Sequence, residues 1–484
     1  MASPVCYDNR WGIAVLYFSI ITLFSLAFNS QAQILSEQAL FNRCYSQITN
    51  TRPKKIDPLN QAVKSGQKKA ITACLEVLAK ANFNSSNNET ISDINDPVAK
   101  NVLSTFHHLH STWFYNKDFS TISWPGFAKD SQDLYDSSSP AFYMTRALFK
   151  PTALAKDILN SNENLVAVRT NMTPAAGPDS SHPLSDFIFS GFNFAATGDL
   201  LGIKVQSSVI VSTPKNTNID LYQTLGGGYL GTTPYLLLNV GTINSGLGHL
   251  GYKTNGALQT HRKWGKAFFK DTLCRELPVV REEDVVGMVD PKSSVPFRTS
   301  TSCTRCHASH DRVSGVVRGL TIAYADIGNG DPTGLGQKKR GGNFPKFHPV
   351  VMAAETGWPA VADADYYRRP QNGVLYFRDY QGNLIDQTVT GVQDLASKVT
   401  ELDDFYICLA KRYYSYFTGI DVDTGDIKDP TRSSVLTSQD ERHRDTVISL
   451  GKKFKTHQNI QKLISDILNL DQYKKTDFGI KDGI

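Results

Sequence analysis

Five consecutive residues, Cys303-Thr304-Arg305-Cys306-His307, constrain this chain more than any other stretch. Whatever surrounds them must bring two thiols and an imidazole to one place. On a helix, positions three and four apart share a face, so one helical turn puts both sulfurs and the ring on the same side. Cysteines three apart followed at once by histidine have the spacing of covalent haem attachment. The thiols then hold the two vinyl positions of one porphyrin, and the histidine is the proximal ligand of the iron. Two alternatives remain for such a motif. A zinc centre calls for a second C-x-x-C or a downstream histidine pair, and no other cysteine here has a close neighbour. A redox dithiol of the thioredoxin kind calls for a βαβ context, and none surrounds this segment.

Haem attached through cysteine implies export, and the chain start fits that. Trp11 to Phe28 is an apolar run of 18 residues, followed by small residues at Ser30 and Ala32. This predicts a signal peptide over residues 1–32, cleaved after Ala32. The segment before the run carries little charge, and the run is long enough to persist as an anchor instead. The expected location is periplasmic or secreted, with membrane association only if that segment is uncleaved.

An exported protein sits where disulfides persist. Of 7 cysteines, Cys6 leaves with the signal, and Cys303 and Cys306 belong to the motif. The remaining four predict two bridges. Cys44–Cys74 would clip an N-terminal helical hairpin, and Cys274–Cys408 would tie the segment before the motif to a helix well after it. Four buried free thiols are the alternative.

Hydrophobic residues make up 40% of the chain and charged residues 20%, with a net charge of +5 and both signs interspersed. A chain so balanced lacks the basic patch of a nucleic-acid binder. Removal of residues 1–32 leaves 452, enough for several subdomains. The expected division is an N-terminal helical region at 33–130, a middle domain at 131–294, a haem c module at 295–365, and a C-terminal hairpin and helical domain at 366–484. The fold class expected is mainly α: a multi-subdomain helical protein with a cytochrome c-like haem module and a small β-hairpin.

Along the mature chain, residues 34–83 read as helices and Asn82 to Asn95 as a polar linker. Pro97 to Tyr115 is a further helix, carrying His107, His108 and His110. The i, i+3 pair there could bind a metal or approach a haem, or it could be an ordinary helix face. Residues 117–140 and 170–183 read as loops, Phe142 to Leu159 as helix, and Lys204 to Ser212 as a strand. Gly226-Gly227-Gly228 lacks the lysine and spacing of a phosphate loop and marks backbone that approaches something closely. His261 to Cys274 reads as an amphipathic helix. Residues 328–342 form a glycine-rich loop with the basic run Lys338-Lys339-Arg340. Val374 to Asp386 is a hairpin turning at Gly382-Asn383. Helices follow at Val392–Leu402, at Phe405–Tyr416 with a stop at Gly419, and at Ile460–Leu468.

The order of these segments resembles the planctomycete-type cytochrome c-like proteins, which are built from consecutive domains of unknown function. Four stretches carry the likeness, over roughly residues 220–475. They are Gly227-Gly228-Tyr229-Leu230-Gly231-Thr232; Phe269 to Pro278 with Leu273-Cys274; Cys303 to Asp311, where Asp311 stands at that family's aspartate; and Gly382 to Gly419. Arg312 and Ile420 stand where the family usually has proline and arginine. The resemblance implies an exported haem protein and is consistent with the Cys274–Cys408 pairing.

The sixth position of the iron decides what such a haem does. Met352, His348 and Met288 are the candidate distal ligands. His310 follows His307 on the same helix face and so cannot reach the opposite side of the ring. Arg298 and Arg305 are candidate propionate partners, with ordinary surface arginine as the alternative. The reading favoured is an exported monohaem electron-transfer protein meeting a redox partner protein or small oxidant. The alternatives are a peroxidase-like haem oxidoreductase with an open distal site, and a surface binding protein with structural haem.

Overall fold

Three short helices open the fold: α1 (Glu37–Thr49), α2 (Pro58–Lys64) and α3 (Ala70–Ala79). Local signals start the first two. The Ser36 hydroxyl accepts from the Ala39 N–H, and Asp57 accepts from Leu59 and Asn60. Pro58 begins α2, where its missing N–H leaves nothing unpaired. The computed structural model describes residues 33–84, 88–114, 139–167, 202–207, 224–232, 235, 239, 256–293, 296–317, 320–326, 343–349, 371–430 and 436–479. The apolar run at 11–28, the loops at 117–138, 170–183 and 328–342, and Met352 lie outside them. Among the described residues no helix is long and apolar enough to cross a membrane.

Cys44 and Cys74 are bonded, with Cα atoms 6.2 Å apart, and join α1 to α3 as their sequence positions suggest. Closing such a loop stabilises by about 2–4 kcal/mol, chiefly through the unfolded chain. The stretch read as a linker contains a strand, β1 (Asn88–Thr90). It joins an antiparallel sheet in the order β1-β3-β2, with β2 at Glu163–Ala167 and β3 at Gly202–Ser207. A three-residue strand paired with residues far along the chain has no period of its own, so the sequence does not display it. Glu89 of this strand is buried and held at 2.6 Å by both Arg146 and Lys150, the pairing a buried carboxylate requires.

Helix α4 spans Pro97–Trp113. The single helix expected at Phe142–Leu159 is two: α5 (Ser139–Phe149) and α6 (Asp157–Asn160). Pro151 explains the break, since its ring excludes the preceding turn and it has no N–H to donate. The Gly228–Gly231 turn follows β3. Gly228 has φ +59°, and a Cβ there would overlap the Ile158 carbonyl of α6. The glycine triplet therefore serves close backbone approach, as its composition suggested.

The second half begins with α7 (Gly256–Leu273) and α8 (Thr301–Val313), which carries the C-x-x-C-H motif. Two antiparallel pairs follow: β4 (Leu320–Asp326) with β5 (Asn343–Pro349), and β6 (Asn372–Arg378) with β7 (Leu384–Thr390). Only the second was expected. Helices α9 (Gly391–Glu401), α10 (Asp403–Thr418), α11 (Ser438–His457), α12 (Ile460–Asn469) and α13 (Asp471–Lys474) complete the chain. Gly419, at φ 73°, ends α10 in the left-handed conformation that favours glycine.

The protein is helix-rich, with small antiparallel sheets. Helix α10 lies at its centre, packing on α7, α11 and α12. One continuous apolar core runs from Leu40 to Tyr473. A smaller cluster of Val280, Val285, Ala308 and Tyr376 lies beneath α8. Cys274 and Cys408 are bonded across α7 and α10, with Cα atoms 5.2 Å apart. Beside that bridge Arg275 and Asp404 form a fully buried ion pair.

Candidate functional site

Helix α8 sits between α7 and β6. Gly265 of α7 makes that closeness possible. A Cβ there would meet the His310 carbonyl oxygen and the Ser314 hydroxyl, so any larger residue would push α8 outward. The inner face of α8 carries Thr304, Arg305, Ala308 and Ser309, all buried. Its outer face carries Cys303, exposed, and Cys306, half-buried, both as free thiols, together with His307, whose side chain is 24% exposed.

The environment of His307 is built from three directions. Its Nδ1 faces Asp311 Oδ2 at 2.8 Å, one turn further along the same helix. A carboxylate only accepts, so Nδ1 carries the proton. Among the described residues Nε2 makes no hydrogen bond and is the atom left to ligate. The ring stacks on Phe297, centroids 4.1 Å apart and planes 17° from parallel. Arg262 of α7 lies over the other side of the arrangement, with its guanidinium 4.8 Å from the Phe297 ring and Nε donating to Asp311 Oδ1 at 2.9 Å.

Asp311 also meets His310, whose Nε2 lies 3.1 Å from Oδ1. The other ring nitrogen of His310 faces the Cys306 carbonyl at 2.6 Å. The ring of His310 is thus held between the Asp311 carboxylate and the Cys306 carbonyl of its own helix. Burial works to raise the Asp311 pKa. It is outweighed by the hydrogen bonds from His307 and His310 and the charges of His310 and Arg262, which hold the carboxyl well below the usual range.

The alternatives can be weighed on this geometry. The ligating atoms of His307, His310 and Asp311 lie within 4.8 Å of one another, but neither thiol is among them. With Cys44, Cys74, Cys274 and Cys408 bonded in pairs, the Cys-rich set of a structural zinc site is not assembled among the described residues. Arg262 already compensates the Asp311 charge, which disfavours a bare divalent cation in its place. Burial pushes the Cys306 thiol up, only partly opposed by Arg305. A reactive dithiol needs the opposite shift.

Other expected residues fall as follows. Met288 ends a short turn, Val286–Met288, that touches α8, and it is 37% exposed. His348 lies in β5 opposite Thr321. Arg305 is neither a surface residue nor a free anion partner. It is buried, donating to the Val280 carbonyl at 3.0 Å and to Asp429 at 2.6 Å. The reason is helical phase: Arg305 falls opposite Cys303 and Cys306 and must satisfy its charge inside. Arg298 lies near Phe297, 6.0 Å from the ring centre. His107 and His110 are buried, with Nδ1 of each against the Thr145 hydroxyl and His110 Nε2 2.8 Å from the Tyr413 hydroxyl. They are core residues of α4.

Three participants were not evident as such beforehand: Phe297, Arg262, and Asp311 in its role at His307. Asp311 stands four after His307, the helical spacing for a side-chain pair, and that signal was readable. A polar cavity of about 440 Å³ behind α8 was also unforeseen. It is lined by Arg305, Arg378 and Lys411 against Asp421, Asp426 and Asp429. Arg281–Asp426, Arg305–Asp429 and Lys411–Asp421 pairs already balance its charge.

Compared with known protein families, with curated proteins and with solved structures, the chain matches none.

Proposed function

We propose that this chain is an exported, monohaem, cytochrome c-like protein, with residues around α8 as its haem module, that exchanges electrons with a redox partner. One observation carries the reading. The free thiols of Cys303 and Cys306 and the His307 ring share the outer face of one helix, and Nδ1 of that ring is already engaged by Asp311. A ligating histidine typically has its second ring nitrogen held in this way. A haem c held there would supply a one-electron Fe(III)/Fe(II) couple. Cys303 and Cys306 would hold it through thioethers, and His307 Nε2 would be the axial nitrogen. Phe297 stacks on the imidazole and restricts its rotation. The resemblance of residues 220–475 to exported cytochrome c-like proteins supports the same reading.

A second reading, a haem oxidoreductase with an open distal position, is favoured by the partner of His307. A carboxylate at Nδ1 raises the basicity of the ligand, and a more electron-rich iron is better suited to reacting with oxidants than a neutral-ligand shuttle.

Visible spectra of the reduced protein, produced in an export-competent host with haem c maturation and recorded with and without carbon monoxide, test both. Haem c bands unchanged by carbon monoxide support electron transfer. A shifted Soret band supports the second reading. A purified protein without haem bands sinks both.

A further inference from the structure

The carboxylate of Asp311 meets three donors beside the motif. It receives His307 Nδ1 on one oxygen at 2.8 Å, and both Arg262 Nε at 2.9 Å and His310 Nε2 at 3.1 Å on the other. The two oxygens are therefore divided. Oδ2 is given to His307 alone, and Oδ1 is fixed by groups from two helices. The carboxylate cannot swing away from the imidazole without breaking contacts to α7.

This division has an electronic consequence. A hydrogen bond from an imidazole N–H to an ionised acceptor is stronger than one to a neutral carbonyl and moves the ring toward imidazolate. A ring with more anionic character donates more strongly through its other nitrogen and favours the higher charge state of whatever metal it ligates. Second-shell hydrogen bonding is one of the levers by which a protein sets the potential of haem iron. Arg262 pairs with this carboxylate as a guanidinium does with an ion, Nε to Oδ1 at 2.9 Å.

We propose that Asp311 is a positioning residue that fixes His307 with Nε2 outward and, by accepting its Nδ1–H, lowers the reduction potential of the haem iron. The inference rests on the haem c reading of Cys303, Cys306 and His307. Arg262 opposes it: by sharing the carboxylate through Oδ1, it limits how much negative charge reaches the imidazole.

The test uses the full chain, matured with haem, as wild type and as Asp311→Asn, Asp311→Glu and Arg262→Gln. Midpoint potentials are read by spectroelectrochemistry and thermal unfolding by circular dichroism. Asp311→Asn preserves shape and removes the charge. The Fe(III)/Fe(II) equilibrium should shift about tenfold toward Fe(II), a rise of about 59 mV for a one-electron couple. Asp311→Glu, which keeps the charge, should recover part of that shift. Arg262→Gln should move the potential the opposite way, whereas a merely structural loss would lower the melting temperature in each variant without opposite shifts. If Asp311→Asn carries haem at an unchanged potential, the inference fails while the haem reading stands. If the wild type carries no haem, the underlying reading fails and the inference with it. Should Asp311→Asn not accumulate, Arg262→Gln alone still decides, because a potential equal to wild type overturns the proposal.

Discussion

Two helices of this protein carry histidines at the same spacing, and they serve different ends. In α4, His107 and His110 stand three apart and lie fully inside the core. In α8, His307 and His310 also stand three apart, but while His310 is buried, His307 keeps a side chain 24% exposed. What separates them is the acceptor each meets. The α4 pair faces neutral hydroxyls, Thr145 and Tyr413, and burial together with the charges of His107 and Arg412 holds His110 well below its ordinary pKa. The α8 pair faces an ionised carboxylate shared with Arg262. Spacing alone says that two rings share a face. Whether they fill a core or present a ligand is decided by the partner the tertiary fold supplies.

The largest expected effect separates the helices outright. On the haem c reading proposed above, Cys303→Ala with Cys306→Ala should abolish covalent haem, read as loss of haem bands after denaturing electrophoresis. His107→Gln and His110→Gln should leave those bands intact. Loss of covalent haem on changing α4 would erase the distinction drawn here.

Stability should rank the helices in the reverse order. Replacing His110 by Leu takes from the Tyr413 hydroxyl its hydrogen bond to the ring, at about 1–3 kcal/mol, while the Thr145 hydroxyl keeps Ala141 and His107. Replacing the partly exposed His307 by Ala in haem-free protein should cost less than about 1 kcal/mol. Urea unfolding of the two variants makes the comparison directly, and equal costs would break it.

Gly265 gives an intermediate test. Gly265→Ala should destabilise by about 1–3 kcal/mol through overpacking against the His310 carbonyl. It should also disturb haem loading, because α8 would be displaced. A corresponding Ala at Gly287, where a Cβ meets nothing within 4 Å, is the control and should leave both unchanged.

The smallest effect is in pH. His110 resists protonation when folded, whereas the unfolded chain takes up a proton near 6.5. Folding stability should therefore fall as pH drops below about 6.5, and that slope should flatten in His110→Gln. Asp311 acts lower down. Its folded pKa lies below the ordinary 3.8, so its contribution is present above that value and is lost as pH falls further. An Asp311→Asn variant should keep the limb near 6.5 and weaken the more acidic one, to which Glu89, Asp96 and Asp426 also contribute. Denaturant midpoints measured across this range would resolve the two.

Much of the fold was legible where a local signal decides it. Gly419 stops a helix, Gly382 turns a hairpin, and Cys44, Cys74, Cys274 and Cys408 pair as their positions suggested. Pro151 was readable as a helix breaker but lay inside an apolar stretch whose composition favoured one helix. The β1-β3-β2 sheet was invisible because its pairing joins segments with no shared local pattern. At the candidate site, the spacing of the motif was enough to expect Cys303, Cys306 and His307 on one helix face, where they lie. The placement of Phe297 and Arg262 depended on how α7 crosses α8, which no spacing in the sequence records. Arg305 shows the same limit. Its residue type suggested a surface cation, and only the phase of the packed helix put it inside against Asp429.

The Cys274–Cys408 bond has one more consequence. It closes a covalent ring of chain with a sequence separation of 134, and the whole C-x-x-C-H motif lies within that ring. A protease that cuts once between residues 275 and 407 therefore releases nothing. Both pieces remain one molecule, with any group attached at Cys303 and Cys306 still aboard, until a reductant opens the bridge. On gels the nicked protein should migrate as a single band without reductant and as two with it. Wherever cuts are frequent and reductants scarce, this closed ring of chain would keep the centre of the molecule in one piece.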